Sequence, residues 1–187
     1  MLSTIPVATG RILISEPFMM DPNFKRSVIL LAEYSEAGAM GFILNHPSEF
    51  TLGDLLPDLS YSEFPVYTGG PVANNTLHFI HHCPEKIGDG IKIGDDLYWG
   101  GDFEAVKELI KNYSLGTDEI RFFTGYSGWS AEQLDEEIKE DSWIVANSLQ
   151  SSTIFTDHEE NFWRQVIIGL GNRYAHIANF PENPTLN

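Results

Sequence analysis

The chain has 187 residues, of which 42% are hydrophobic and 12% aromatic. This length suits one domain that buries roughly 70% of its unfolded surface, and the composition is typical of a globular protein rather than a disordered one. Asp and Glu number 27 against 11 Lys and Arg, a formal net charge of −16. Such a charge disfavours binding to nucleic acid or to an acidic membrane, because both attractions come largely from cationic side chains. The densest basic spot is "KRS", with Lys25 and Arg26.

The amino terminus and the cysteine content predict a cytoplasmic protein. The start "MLSTIPVATG" lacks the basic region and long apolar core of a secretory signal. No apolar run approaches the ~20 residues that cross a bilayer. Cys83 is the one cysteine, so an intrachain disulfide is excluded, as is usual in a reducing compartment.

Short apolar segments predict a sheet of many strands. Residues 28–32 and 40–44 are apolar without alternation, which is typical of strands covered on both faces. A turn at Glu36–Gly38 predicts a hairpin between the second and third strands. The predicted strands are residues 11–15, 27–34, 39–45, 77–82, 120–126 and 142–147.

Capping residues predict where the helices begin. Asp102 precedes apolar residues at helical spacing, and Thr51 precedes a short helix. Because strands come mostly in neighbouring pairs with helices inserted irregularly, the pattern favours an α+β fold with a mixed sheet. Capping boxes are predicted at Ser130 with Gln133 and at Asp157 with Glu160, and the last helix is expected to end near Gly171.

The segment "RFFTGYSGWS" predicts a strand, a tight glycine turn at Ser127 and then a helix, which is where some hydrolases hold their nucleophile. The required pattern is G-x-S-x-G, and here Trp129 stands where the second glycine should be. A triad also needs a downstream acid and histidine, and only His158 and His176 follow. We therefore expect Ser127 to be structural or part of a binding surface.

Cys83 and the neighbouring histidines offer a second possible chemistry. On a strand, His81 would share the side of Cys83 and could make its thiol reactive, which leaves redox sensitivity as an alternative. A free cysteine is usually a small buried hydrophobic residue, and this is what we expect of Cys83. His78 and His82 would lie roughly 13 Å apart on that strand, too far to share one ion. No HExxH or CxxC spacing occurs, and we predict neither a metal nor a cofactor.

Glycine pairs in "VYTGGPV" and "WGGDF" each follow a predicted strand. The second pair leads into a helix that could hold a small anion, although the carboxylate of Asp102 opposes it. Tight turns are the simpler interpretation. In "GFILNHP", Asn45 either ends a strand or contacts a ligand, and the sequence leaves both open.

Six ordered segments make the chain similar to the YqgE/AlgH family of bacterial proteins over nearly its whole length. The resemblance implies one domain over residues 1–187, with a strongly curved, partly barrel-like mixed sheet flanked by helices. Some members carry the label of transcriptional regulator, and no enzymatic activity is established for the family. The segments are "GRILISEPFMMDPNFKRSVILL", "GAMGFILNHP", "VYTGGPV", "LYWGGDFEAV", "RFFTGYSGW" with "QLDEEI", and "ANFPENPTLN".

The resemblance also implies a shared surface for a ligand or partner. Two departures make a basic site less certain in this chain: His46 replaces a residue that is often basic, and Glu132 replaces a frequent glycine. The residues carried over are Arg26, Ser27, Asn45, Pro47, Gly69, Gly70, Pro71, Gly125, Tyr126, Gly128 and Trp129.

The leading hypothesis is a cytoplasmic, non-enzymatic protein that binds a protein partner or small ligand and regulates indirectly. One alternative is a small-molecule hydrolase or redox-sensitive enzyme that uses Ser127 or Cys83. Another is a transcriptional regulator that binds DNA directly, which the net charge of −16 disfavours.

Overall fold

The computed structural model of the chain describes residue 3, residues 5–156 and residues 161–181. Within these residues, ten strands form one sheet that curls without closing, and helices flank it. The α+β class and the mixed, curved sheet are confirmed. The strands are β1 (Ile12–Ser15), β2 (Val28–Ser35), β3 (Gly38–Ile43), β4 (Pro47–Thr51), β5 (Pro65–Thr68), β6 (Val72–His81), β7 (Ile91–Lys92), β8 (Tyr98–Trp99), β9 (Ile120–Ser130) and β10 (Trp143–Ala146).

The strand order is β10-β1-β2-β3-β9-β6-β8-β7, with β4 and β5 attached beside β9. Strand β9 is central because it pairs with β6 along one edge and with both β5 and β3 along the other. The β5–β9 pair is parallel, and the other described pairs are antiparallel. Strand β9 therefore joins the two halves of the sheet.

All six predicted strands are present, with bounds that differ by a few residues. The hairpin is also confirmed, since Ser35 pairs with Gly38 across a two-residue turn. Successive residues of β1 and β2 enter two different core clusters, so both faces of these strands are covered. For example, Leu30 packs in the cluster that contains Ile167, and Ile29 packs with Leu134. This double coverage is why these strands are apolar without alternation.

The predicted glycine turn at Ser127 is wrong, because β9 runs without interruption from Ile120 to Ser130. Gly125 has a φ of +65°, a conformation that glycine adopts without the penalty of a side chain. The strand bends there and exchanges its partners instead of ending. Before the bend it pairs with β5 and β6, and after it Ser127 pairs with Gly41 of β3.

A glycine pair after β5 holds this exchange together, and we call it the glycine junction (Gly69 and Gly70). The Gly69 N–H donates to the Thr124 carbonyl at 2.9 Å, and the Gly69 carbonyl accepts from the Ile43 N–H at 2.9 Å. The Ser127 hydroxyl donates to the same carbonyl at 3.0 Å. Three strands therefore meet at one residue.

The helices begin where the capping residues predicted, with one exception. The Asp102 carboxylate accepts from the N–H groups of Glu104 and Ala105, and Thr51 forms a capping box. Gln133 does reach back to the Ser130 N–H, but Glu132, with a φ of +64°, occupies the cap position. The described helices are α1 (Leu52–Leu55), α2 (Pro84–Ile87), α3 (Phe103–Lys111), α4 (Gln133–Lys139), α5 (Ser151–Ile154) and α6 (Phe162–Gly169), with 3₁₀ turns at Pro57–Leu59 and Ile177–Asn179.

The last long helix, α6, packs its buried face of Phe162, Trp163, Val166 and Ile167 against the sheet. The chain leaves the helix at Gly171, whose φ is +98°, as predicted. The proposed capping box of Asp157 with Glu160 lies outside the described residues. None of the helices in the described part of the chain is long and apolar enough to cross a membrane.

Substituting Gly70→Ala is expected to prevent folding or to lower the free energy of unfolding by more than about 4 kcal/mol. A Cβ at Gly70, which has a φ of +156°, would lie 2.3 Å from the Ser127 backbone nitrogen. Gly169→Ala is the matched control, since a Cβ there meets nothing within 4 Å. It should stabilise the chain by about 0.5–1 kcal/mol. Urea unfolding measures both changes, and equal stability of the two variants would contradict the role of the junction.

Candidate functional site

The sequence-predicted site residues fall into two groups in the structure. One group lies where β2 begins and β3 ends: Arg26, Ser27, Asn45 and Pro47. The other lies along β9 and the glycine junction: Gly69, Gly70, Pro71, Gly125, Tyr126, Gly128 and Trp129. Their assignment to a binding surface stays a prediction.

The β9 group is largely structural in its contacts. Gly69, Gly70 and Trp129 are buried, and backbone atoms crowd both glycines of the junction. Tyr126 and Gly128 are half-buried and, together with one edge of Trp129, line an open depression of about 410 Å³. This depression has a mostly apolar surface and contains one charged lining residue among those described, Glu33.

A single carboxylate holds α4 against the sheet beneath this group. One oxygen of Glu137, Oε2, accepts from the indole N–H of Trp129 at 2.9 Å and from that of Trp143 at 2.7 Å. Its other oxygen accepts from the Gln133 amide at 2.9 Å. Both indoles are almost fully buried, so each needs an acceptor inside the protein. The segments "SGW" and "QLDEEI" thus meet in one structural clamp.

Asn45 uses both polar atoms of its side-chain amide to hold the start of β2. Its Oδ1 accepts from the Val28 N–H at 2.9 Å, and its Nδ2 donates to the Arg26 carbonyl at 2.8 Å. These two bonds fix the backbone of residues 26–28 just where β2 begins. The amide therefore positions Arg26, whose φ of +52° is a conformation that needs such support.

Beside Arg26 lies a cleft of about 500 Å³, which we call the cationic cleft. It contains three of the 11 Lys and Arg residues of the chain, and none of its described lining residues is acidic. The lining residues are Lys25, Arg26, Asn45, His46, Asn161, Trp163, Arg164, Ala178, Asn179, Phe180 and Pro181.

Both guanidinium groups of the cleft are held in place. The Arg26 guanidinium lies 4.0 Å above the Trp163 ring, and its Nη2 donates to the Phe180 carbonyl at 2.7 Å. In Arg164, Nε donates to the Ala178 carbonyl at 3.1 Å and Nη2 to the Asn179 side chain at 2.9 Å. Because a guanidinium carries five N–H donors, these contacts orient Arg164 without using all of them.

The side chains of His46 and Ser27 are neighbours, and a serine beside an imidazole can be a nucleophile. The Ser27 hydroxyl lies 3.4 Å from His46 Nε2, which is long for a hydrogen bond. Ser27 is fully buried, so a substrate cannot reach its hydroxyl. No carboxylate among the described cleft residues orients His46. Burial lowers the pKa of His46, which keeps the imidazole neutral at pH 7. The geometry is not that of a catalytic triad.

Ser127 and Cys83 have equally local partners. The Ser127 hydroxyl is fully buried and donates to the glycine junction, with no imidazole among its described partners. The Cys83 thiol lies 3.9 Å from His81 Nδ1, on the side predicted for it. His81 is itself buried, and burial lowers its pKa. Desolvation raises the pKa of Cys83 to about 11, so the thiolate that redox chemistry needs is scarce at pH 7.

Sequence reasoning found only part of the cationic cleft. It noted Lys25 and Arg26 as the densest basic spot and carried Asn45 over from the family resemblance. It missed Trp163, Arg164 and Asn179, which α6 and the turn after it bring from the other end of the chain. No local pattern marks these residues as neighbours of Arg26. Among the described residues, no group of three His, Cys, Asp or Glu side chains could hold a metal ion.

The fold places this chain in the class of α+β proteins in which helices flank a curled mixed sheet. A family model described as AlgH-like matches residues 12–175, and the chain belongs to this family. This confirms the resemblance found in the sequence. UPF0301 proteins from Cytophaga hutchinsonii and Chlorobium limicola are each 42% identical to it. The alignments cover 95% of this chain and 98% and 95% of those proteins.

Two solved structures share the fold. The solution structure of the AlgH protein from Pseudomonas aeruginosa has a TM-score of 0.72 and 25% identity, over 97% of this chain and 98% of that one. A crystal structure of a Corynebacterium diphtheriae protein has a TM-score of 0.74 and 24% identity, over 96% of this chain and 95% of that one. The comparisons establish family and fold, and they assign no activity.

Substituting Glu137→Ala should lower the free energy of unfolding by about 2–4 kcal/mol, because two buried indole N–H groups lose their acceptor. Glu136→Ala is the matched control, since that neighbouring glutamate is exposed and should change stability by less than about 0.5 kcal/mol. Urea unfolding followed by tryptophan fluorescence measures both. Equal effects of the two substitutions would contradict the clamp.

The single thiol should react slowly in the folded chain. At pH 7, we expect iodoacetamide to label Cys83 at least about 100-fold more slowly in the native chain than in urea, because burial protects the thiol and keeps it protonated. Mass spectrometry of timed samples gives both rates. Rapid labelling of the native chain would instead favour the redox-sensitive alternative.

Proposed function

We propose that this protein is a binding protein that accepts a small anionic group in the cationic cleft. The observation that carries the proposal is the convergence of Lys25, Arg26 and Arg164 on one cleft, where two contacts orient the Arg164 guanidinium without using all five of its N–H donors. Phosphate and carboxylate groups are the ligands that guanidinium donors match best. The amides of Asn161 and Asn179 supply further neutral donors at the same cleft.

The net charge of −16 does not oppose a ligand of this size. At physiological ionic strength, charges more than about 10 Å away are largely screened, so a small anion responds mainly to the cations that it touches. A nucleic acid is different, because its phosphates would extend beyond the cleft over an acidic surface. The same cleft therefore favours a small ligand and disfavours direct contact with DNA.

We propose further that the protein acts in the cytoplasm, and that any effect on transcription passes through the bound ligand or a protein partner. The described lining of the cleft offers no hydroxyl or thiol to a ligand, and the nearby hydroxyl of Ser27 is fully buried. The protein as a whole is acidic, which suits a partner with a basic surface, because complementary charge speeds association. Ser127 and Cys83 lie outside the cleft lining and take no part in the proposal.

Titration of the ¹⁵N-labelled chain with inorganic phosphate tests the proposal. We expect saturable shifts of the backbone amides that line the cationic cleft. Lys25→Gln should weaken phosphate binding about threefold, as the loss of one exposed charge does. Arg164→Gln should weaken it about tenfold, because a guanidinium forms charge-assisted hydrogen bonds with phosphate.

Lys92→Gln is the matched control for Lys25→Gln, since Lys92 is an exposed lysine on β7 outside the cleft lining. It should leave the affinity for phosphate unchanged. Chloride at the same ionic strength controls for general screening. If chloride produced the same shifts, or if Lys92→Gln weakened binding as much as Lys25→Gln, the cleft would not be an anion site.

A further inference from the structure

An exposed aromatic pair borders the cationic cleft. The rings of Phe18 and Phe180 lie 5.2 Å apart, and both side chains are more than a third exposed, at 37% and 39%. Phe180 also lines the cleft, so the pair and the cations form one continuous surface. We call this pair the aromatic rim. Exposed aromatic rings at the mouth of a polar cleft are typical of sites that bind the apolar part of a ligand.

Phe180 contacts both the Arg26 guanidinium and the Phe18 ring, and this closeness restricts the ligand. The Phe180 carbonyl accepts from Arg26 Nη2 at 2.7 Å, while the ring of the same residue contacts Phe18. One residue therefore spans the cation and the aromatic surface. A ligand that uses both must carry its anionic group within a few bonds of its apolar group.

We infer that the ligand of this cleft is a small organic phosphate or carboxylate whose anionic group is attached close to an aromatic ring. The inference rests on the proposed function, because the same cations hold the anionic group. A planar ring can stack or pack edge-on against the rings of the rim, and such pairs add energy beyond the burial of area. An aliphatic group of the same size lacks this contribution.

Three probes separate the parts of this inference: inorganic phosphate, n-butyl phosphate and phenyl phosphate, each titrated into the ¹⁵N-labelled full chain. We expect phenyl phosphate to bind about tenfold more tightly than inorganic phosphate, with n-butyl phosphate between them. A shift of the Phe18 amide, which lies outside the cleft lining, should accompany phenyl phosphate and not inorganic phosphate. Benzoate replaces the phosphate by a carboxylate and shows which anionic group the cleft prefers.

Phe18→Leu should remove much of the advantage of phenyl phosphate and leave the affinity for inorganic phosphate unchanged, because Phe18 belongs to the rim but lies outside the cleft lining, and leucine keeps an apolar side chain without a ring. Phe50→Leu is the matched control, since Phe50 is an exposed phenylalanine on β4 that does not line the cleft. It should alter none of the affinities.

The outcomes distinguish this inference from the proposed function. If inorganic phosphate and phenyl phosphate both failed to bind, the proposed function would be wrong. If both bound with equal affinity, or if n-butyl phosphate matched phenyl phosphate, the anion site would stand and the aromatic ligand would be excluded. Binding of neutral phenol at the rim as tightly as phenyl phosphate would also exclude it.

Discussion

The glycine junction is the constraint on which the rest of the structure depends. Strand β9 must leave β5 and join β3 within a few residues, and the backbones approach too closely there for any side chain. Glycine alone permits this approach. The Gly69 carbonyl then receives two donors, from Ile43 and Ser127, and so connects both halves of the sheet.

The junction also sets the position of the cationic cleft. By fixing Ile43 it fixes the end of β3, and the Thr68 N–H donates at 2.8 Å to the carbonyl of His46, the residue after Asn45. Asn45 in turn holds the backbone of residues 26–28. A chain of hydrogen bonds therefore runs from the buried glycines to the half-buried Arg26, and its last links are made by the side-chain amide of Asn45. Most of the residues carried over from the family resemblance are buried or half-buried, so their contacts mainly support the structure.

The fold could be predicted from the sequence largely because its signals are local. The unbroken apolar segments of β2 and β3 and the caps at Asp102 and Thr51 depend on nearby residues alone. The bend at Gly125 could not be predicted in the same way. A glycine with positive φ either ends a strand or bends it. The outcome depends on whether the residues after the glycine can pair with a strand from a distant part of the chain.

The site was less predictable for the same physical reason. Lys25 and Arg26 are adjacent in sequence, so their charge was visible, but Arg164 joins them only because α6 packs across β2. The nucleophile pattern that Ser127 partly matches covers five residues and gives no information about burial. The actual environment of Ser127 follows from the junction, which brings Gly69 to its hydroxyl from far along the chain. Composition gives one net charge for the whole chain, so it could not reveal a cleft that gathers three of the cations.

His46 shows how one side chain can tune such a cleft without changing the backbone around it. A permanently charged side chain at this position would add a further cation beside Arg26. In this chain burial lowers the pKa of His46, so the imidazole stays neutral at pH 7. The proposed anion would then meet three cations, and its affinity would depend less on ionic strength than it would in a more basic cleft. With less charge available, more of the binding energy of the proposed ligand would have to come from the aromatic rim.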